Sequence, residues 1–203
     1  MTGVAAVVLA AGRSTRAGKT NKLTAPVAGV PMVARVVDAV LASRARPVVV
    51  VTGFEADEVR AALAGRDVTF VHNPEFADGI STSIRTGVAA LPRDAAAALV
   101  CLGDMPALGA GDIDRLIAAY DAAGNDGDTA ICVPVAGGRR GNPVLFAKSC
   151  FADLQALSGD SGARDFIAAH REWVREVAVE GAGTLTDLDT EAEIAAYNVR
   201  QNQ

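Results

Sequence analysis

Histidine is scarce in this chain of 203 residues: there are only two, His72 and His170, far apart in the sequence. Cysteine stops at three, with no CxxC pair. An odd, unclustered set excludes a disulfide framework and gives little support to a His/Cys metal site. Cys101 and Cys132 lie in apolar runs and read as buried free thiols. Aromatic residues make up 4% of the chain. With alanine and valine dominant, thin and closely packed helix–sheet layers are expected, not a β-sandwich with bulky anchors. No apolar run reaches the ~18 residues of a membrane span. The N-terminus shows no basic segment followed by an apolar stretch and a cleavage site. The expectation is a cytoplasmic protein with no membrane partner. Positive charge is also short: the net charge is -5. No global basic field exists, so nucleic acid is not an expected partner.

What the chain does have is alternation. Val4 to Ala10 is a short, continuous apolar run, the mark of a strand buried on both faces. A helical pattern opens at Pro31 and runs to about Ser43. Further strands are predicted at VVVVTG after Pro47, at Val68 to His72, Ala97 to Leu102, Thr129 to Val135, Pro143 to Phe146 and Val174 to Val179. Helices are predicted at 55–64, Ser81 to Leu91, Asp112 to Ala123, 149–157, 161–169 and Thr190 to Tyr197. Gly111 or Asp112 is the expected cap of the fourth helix. Strands alternating with helices imply a mostly parallel sheet covered on both faces. The turn GGRRGN breaks the alternation, so some antiparallel pairing is expected late in the chain. No repeat, low-complexity tract or long linker divides the sequence, and one domain over 1–203 is expected.

Ligands of such folds bind beyond the carboxyl ends of the strands. Two loops follow strands in this way. In the first, Arg13, Arg16, Lys19 and Lys22 stand in a stretch with no acidic residue. Glycines 12 and 18 allow close backbone approach, Ser14 adds a hydroxyl, Arg16 can fork onto phosphate oxygens, and Lys22 supplies a compact charge. It matches neither GxxxxGK[ST] nor GxGxxG. Taken alone it reads as an anion-binding loop or as a solvated connection. In the second, Gly103-Asp104-Met105-Pro106, Asp104 should emerge at a strand end. It is either a ligand of a hard divalent cation or an ordinary turn aspartate. In TLTDLDTEAE, Asp189 could be a further carboxylate, while Asp189 or Thr190 could equally cap the last helix.

The segments LAAGRSTRAG…KL and GVPM resemble the signature of the nucleotidyltransferases that build molybdenum cofactor dinucleotides. The resemblance continues in order through NPEFADGISTSIRTG, GDMPAL, GNPVLF, GDSGAR and DLDTEAE, and so spans nearly the whole sequence. It implies a three-layer α/β/α fold around a mixed, mostly parallel, Rossmann-like sheet of the nucleotidyltransferase type. Guanylyltransferase members usually read LAGG and RMGxDK. Here Ala11 stands in place of a glycine, and Asn21 precedes Lys22, which tilts the base toward cytosine.

The implied reaction is transfer of CMP from CTP to molybdopterin with release of pyrophosphate, dependent on Mg²⁺. The resemblance places the backbone of Leu9, Ala10, Ala11 and Gly12 near the nucleotide, with Ser14, Gly79 and Ser83. Ser81 and Arg85 would flank it. Arg16 and Lys22 would grip the triphosphate, and Asp104 and Asp189 would ligate the metal. Asn142, Pro143, Ser161 and Arg164 would face the acceptor. A transient contact with a molybdoenzyme apoprotein is also implied. Lys22 and Asp104 are expected at a solvent-facing rim. The alternatives are a nucleotidyltransferase for another nucleotide or phosphorylated acceptor, and an NAD(P)H-dependent dye or quinone reductase resembling nicotine blue oxidoreductase. The reductase reading lacks a GxGxxG after the first strand.

Overall fold

The computed structural model describes residues 3–13, 21–124, 130–181 and 183–201. The first strand, β1 (Val4–Ala10), is buried along its whole length. After it come a two-residue hairpin, β2 (Pro26–Val27) and β3 (Val30–Pro31), then α1 (Met32–Ala42), β4 (Val48–Thr52), α2 (Ala56–Ala62), β5 (Thr69–His72), α3 (Ile80–Ala89) and β6 (Ala97–Leu102). The later half comprises α4 (Ala110–Ala123), β7 (Ile131–Ala136), β8 (Arg139–Arg140), β9 (Val144–Ala147), α5 (Phe151–Gln155), α6 (Arg164–Ala169), β10 (Val174–Ala178) and α7 (Glu191–Gln201).

The main sheet has the order β10-β7-β9-β6-β1-β4-β5, with β8 paired to β7. Strands β5, β4, β1 and β6 are parallel. Strand β9 runs antiparallel to both β6 and β7, and β10 returns to the parallel direction beside β7. The antiparallel pairing expected from the GGRRGN turn is therefore present, and the sheet is mixed as predicted.

Successive β1 residues point to opposite faces, and the core divides accordingly. Val4, Ala6, Val8 and Ala10 join one cluster with Val33, Val37 and Val40 of α1, Val59 of α2, and Ile113 and Leu116 of α4. Val7 and Leu9 join a second with Ile84 and Val88 of α3, Leu154 of α5 and Phe166 of α6. These two clusters make the three-layer α/β/α arrangement. A smaller cluster, with Val27, Met32, Leu188, Ile194 and Tyr197, fixes α7 to the β2–β3 hairpin. Asn198 adds a side-chain clasp: its Oδ1 accepts from Ala28 N at 2.8 Å and its Nδ2 donates to Pro26 O at 3.1 Å.

Some boundaries differ from expectation. Helix α4 starts at Ala110 with Gly109 as its cap, ahead of both expected caps. The 161–169 segment becomes helical only at Arg164. Strand β9 begins at Val144, after a cis Asn142–Pro143 peptide. The expected start of β7 at Thr129 lies outside the described residues.

From β5 the chain recrosses through α3 and enters β6 on the other side of β1. The strand order therefore reverses at β1, and a crevice opens between the carboxyl ends of β1 and β6, where open α/β sheets bind ligands. Leu9 pairs with Leu102 in register, and Gly103 N donates to Leu9 O at 3.0 Å. The two loops singled out in the sequence thus leave adjacent strands at one edge.

Candidate active site

A cleft of about 420 Å³ occupies that crevice. Its floor is Leu9, Ala11, Gly12, Leu102 and Gly103; Lys22, Asp104, Phe76, Gly79, Ile80, Ser83 and Asp160 are among its walls. A smaller recess of about 100 Å³ shares Leu9, Ile80 and Leu102 with the cleft and extends to Asn142, Ser161 and Arg164.

Lys22 opens a 3-10 turn, Lys22–Thr24, whose start is set by Asn21: its Oδ1 accepts from Leu23 N at 3.1 Å. Leu23 is buried in the core and pins the turn. The Lys22 ammonium donates to Asp104 Oδ2 at 2.7 Å and to Asp189 Oδ1 at 2.6 Å. Burial disfavours the charged ammonium, yet the fields and hydrogen bonds of Asp104 and Asp189 outweigh it and hold Lys22 above its ordinary value. With 12% side-chain exposure for Lys22 and 20% for Asp104, both lie deeper than the expected rim. The fold encloses them because the segment before α7 covers this edge.

That segment also explains how Asp189 arrives. Leu188 N donates to Asp104 O at 3.1 Å, so residue 189 is fixed to the β6 loop through the backbone. Upstream, Asn142 N donates to Thr184 O at 2.9 Å. Gly141 is required there, because a Cβ would sit 2.1 Å from Thr184 O. The cap of α7 is Thr190: Glu193 N donates to Thr190 Oγ1 at 3.2 Å, and Glu193 Oε2 accepts from Thr190 N at 2.9 Å. This is a reciprocal capping box. The cap left open in the sequence is thus Thr190, and the Asp189 side chain is directed to Lys22.

The α3 wall has its own constraints. Gly79 takes φ +106°, and a Cβ there would lie 2.7 Å from Gly159 O. Ile80 N donates to Asp160 Oδ1 at 3.2 Å, so a remote aspartate caps α3. The Arg13 guanidinium lies 5.6 Å from the Phe76 ring centre, a cation–π distance.

Among the residues expected from sequence, Leu9, Ala11, Gly12, Lys22, Gly79, Ser83 and Asp104 line the cleft. Asn142, Ser161 and Arg164 line the recess. Ala10 instead packs in the core on the other face of β1, and Pro143 is buried without lining either space. Ser81 is buried and donates to Ser158 O at 3.2 Å, while Arg85 pairs with Glu75 at 2.7 Å. Ser14, Arg16 and Lys19 lie outside the described residues. The sequence reading missed Arg13, Phe76 and Asp160. Arg13 stood within the cationic loop, and the other two within NPEFADG and GDSGAR, so the segments were visible but not the individual roles.

Asp104 Oδ1 is buried and has no hydrogen-bond partner among the described residues. Its other oxygen and Asp189 Oδ1 meet at one ammonium. Asp104 at the cleft wall and Asp189 at the same ammonium are oxygen donors of the kind that suits a hard divalent cation, which takes its remaining ligands from phosphate and water. No group of three or more His, Cys, Asp or Glu that could hold a metal occurs among the described residues. The three cysteines are free and buried, and burial pushes Cys132 and Cys150 up to about 11. They are poor nucleophiles.

The signature of the MobA-like NTP transferase domain matches residues 6–174. The chain belongs to that family. It is 27% identical over 192 residues to the molybdenum cofactor cytidylyltransferase of Escherichia coli, a match covering 94% of this chain and 93% of the relative. It is 37% identical over 126 residues to the bifunctional protein GlmU of Leifsonia xyli, covering 60% of this chain and 26% of the relative. The chain thus spans about a quarter of the length of the GlmU relatives it matches. Among solved structures, Rv0371c of Mycobacterium tuberculosis superposes with TM-score 0.84 at 29% identity, over 98% of both chains. Its manganese complex superposes with TM-score 0.79 at 28% identity. The mixed nucleotidyltransferase-type fold expected from the motifs is therefore the observed one. No helix among the described residues is long and apolar enough to cross a membrane.

Proposed function

We propose that this MobA-like chain is a divalent-cation-dependent nucleotidyltransferase that transfers CMP from CTP to the terminal phosphate of molybdopterin. An oxygen of that phosphate attacks the α-phosphorus. The bond from the α-phosphorus to the bridging oxygen breaks, and pyrophosphate leaves with the electron pair.

The observation that carries this reading is the convergence of Lys22, Asp104 and Asp189 at the switch-point cleft, with one buried Asp104 oxygen unpaired among the described residues. Phosphoryl-type transfers depend on positioning and charge neutralisation, with little covalent work by the protein. Lys22 would offset charge on the α-phosphoryl oxygens, and Arg16 and Ser14 would hold the polyphosphate. Asp104 and Asp189 would hold Mg²⁺, which supplies neutralisation of the phosphate charge when bound. Asn142, Ser161 and Arg164 would meet the acceptor in the recess. The choice of molybdopterin and CTP rests on the end-to-end similarity to the E. coli cytidylyltransferase, and on Ala11 and Asn21.

The test is pyrophosphate release from CTP, GTP, ATP and UTP with Mg²⁺, each with molybdopterin and separately with a sugar phosphate as acceptor, together with mass detection of the product. Turnover with CTP and a cytidine dinucleotide product is expected. A preference for GTP rejects the base assignment. Turnover only with a sugar phosphate rejects the acceptor. No turnover with any nucleotide rejects the reading as a whole.

A further inference from the structure

The α3 wall carries a hydrogen-bond relay that the reaction scheme does not use. Asn73 is 1% exposed, at the end of β5. Its Oδ1 accepts from Glu75 N at 3.0 Å. A backbone N–H can only donate, so this contact fixes which end of the amide is oxygen. The Nδ2 end then donates to Thr82 Oγ1 at 2.8 Å and to Ser83 Oγ at 3.0 Å. Thr82 has carbonyl acceptors for its own hydrogen, Gly79 O at 2.8 Å and Glu75 O at 3.0 Å. Ser83 has none. Its oxygen already accepts from Asn73, and no carbonyl or carboxylate among the described residues takes its hydrogen. Ser83 is 5% exposed and lines the cleft.

We propose that Asn73 is a positioning residue that makes the Ser83 hydroxyl a hydrogen-bond donor into the cleft, so that this wall takes an acceptor atom of the nucleotide. The amide spends both N–H groups on the two hydroxyls, and Thr82 passes its hydrogen back to the chain. Only the Ser83 hydrogen is left facing the ligand. A base carbonyl or ring nitrogen, or a ribose oxygen, satisfies it. A base amino group placed there would set donor against donor and leave both unpaired, which is costly in a buried site. The inference rests on the nucleotide reading of the cleft and adds a polarity requirement to it.

The test is a double-mutant cycle on CTP binding with Mg²⁺, measured by calorimetry. Ser83→Ala is expected to weaken binding roughly five- to tenfold, the net value of one hydrogen bond. Asn73→Asp keeps the shape but offers only acceptors. It draws the Ser83 hydrogen back from the cleft and is expected to weaken binding to a similar degree. In the Ser83→Ala background the same change should cost nothing further, whereas a purely structural role for Asn73 would add to the loss. If Asn73→Asp does not fold, Asn73→Ala replaces it, with a smaller loss expected that again vanishes beside Ser83→Ala. In turnover, KM for the nucleotide should rise while kcat at saturation holds. Deoxy forms of CTP separate the two sources of the acceptor. With a ribose oxygen, Ser83→Ala loses its effect on the matching 2′- or 3′-deoxy nucleotide; with a base atom, it keeps it. Binding by Ser83→Ala within twofold of wild type, or additive losses in the double variant, overturns the proposal alone. Wild type that binds none of the four nucleotides overturns both it and the nucleotide reading.

Discussion

Lys22 holds together two carboxylates that would otherwise repel, and this makes its removal different from removal of either partner. Without it, Asp104 and Asp189 lose the ammonium they share while partly shielded from water. Lys22→Met is therefore expected to lower Tm in metal-free buffer, and added Mg²⁺ to recover part of the loss, as scanning calorimetry would read. Asp104→Asn leaves the ammonium paired with Asp189 and should keep the fold. Both changes should reduce pyrophosphate release by on the order of 10²-fold or more, the cost of removing one preorganised electrostatic group. Near-wild-type turnover of either variant would remove that residue from the reaction. At this scale the sequence was legible in part. The cationic loop read as an anion site or a solvated connection, and Gly-Asp after an apolar run placed a carboxylate at a strand end. The family resemblance brought Asp189 in as a metal ligand, but not its contact with Lys22, 167 residues away. Spacing could not show it, because the contact depends on a backbone clasp between Leu188 and Asp104. Depth was misjudged for the same reason, since the covering segment is remote in sequence.

Among the elements, α7 decides where Asp189 points. Its capping box was written in the sequence as Thr190-Glu191-Ala192-Glu193, yet the adjacent Asp189 offered an equally good cap by residue type. Only the backbone position of Thr190 separates them. Thr190→Ala should cost about 1 kcal/mol, a usual value for a lost N-cap, and shift the chemical denaturation midpoint accordingly. The Asp189 N–H, then the Thr190 hydroxyl and N–H, hold the Glu193 carboxyl below its ordinary value. A carboxyl lowered on folding stabilises above its unfolded pKa and loses that contribution as pH falls through its folded pKa. Amide protection at the start of α7 should thus decline as pH falls below the ordinary glutamate range, and Glu193→Gln should abolish the pH dependence there. Unchanged protection on acidification would show that the box does not hold this turn. Gly141→Ala tests the neighbouring clasp. Its Cβ would lie 2.1 Å from Thr184 O, a backbone atom, so the covering segment must move. Both stability and turnover should fall, and the nearby Gly137→Ala, with open space around its Cβ, should spare turnover despite its positive φ.

Across the whole molecule, the reversal of strand order at β1 gathers the described parts of the site at one edge. The alternation of apolar runs and helical patterns made this layered sheet readable. The GGRRGN turn signalled some antiparallel pairing late in the chain, which β8 and β9 supply. The β2–β3 hairpin and β8 escaped, because strands of two residues carry no periodicity. Yet the hairpin matters: it is the surface on which α7 docks, and so it fixes the second carboxylate. The site is consequently built from both ends of the chain, and occupying it should stabilise the whole fold. A nucleotide and metal that bind only the folded state, present at a hundred times their dissociation constant, stabilise by about 2.7 kcal/mol. For a protein of this size that corresponds to roughly 5–10 °C in Tm. CTP with Mg²⁺ should produce a shift of this order, and CTP with EDTA a much smaller one, because the triphosphate then meets Asp104 and Asp189 without the cation between them. In Asp189→Asn the gain from Mg²⁺ should shrink while the response to CTP alone is retained or grows, since a repelling charge has gone. Equal shifts with and without Mg²⁺ in the wild-type protein would separate the two carboxylates from metal binding and leave them the role of holding Lys22.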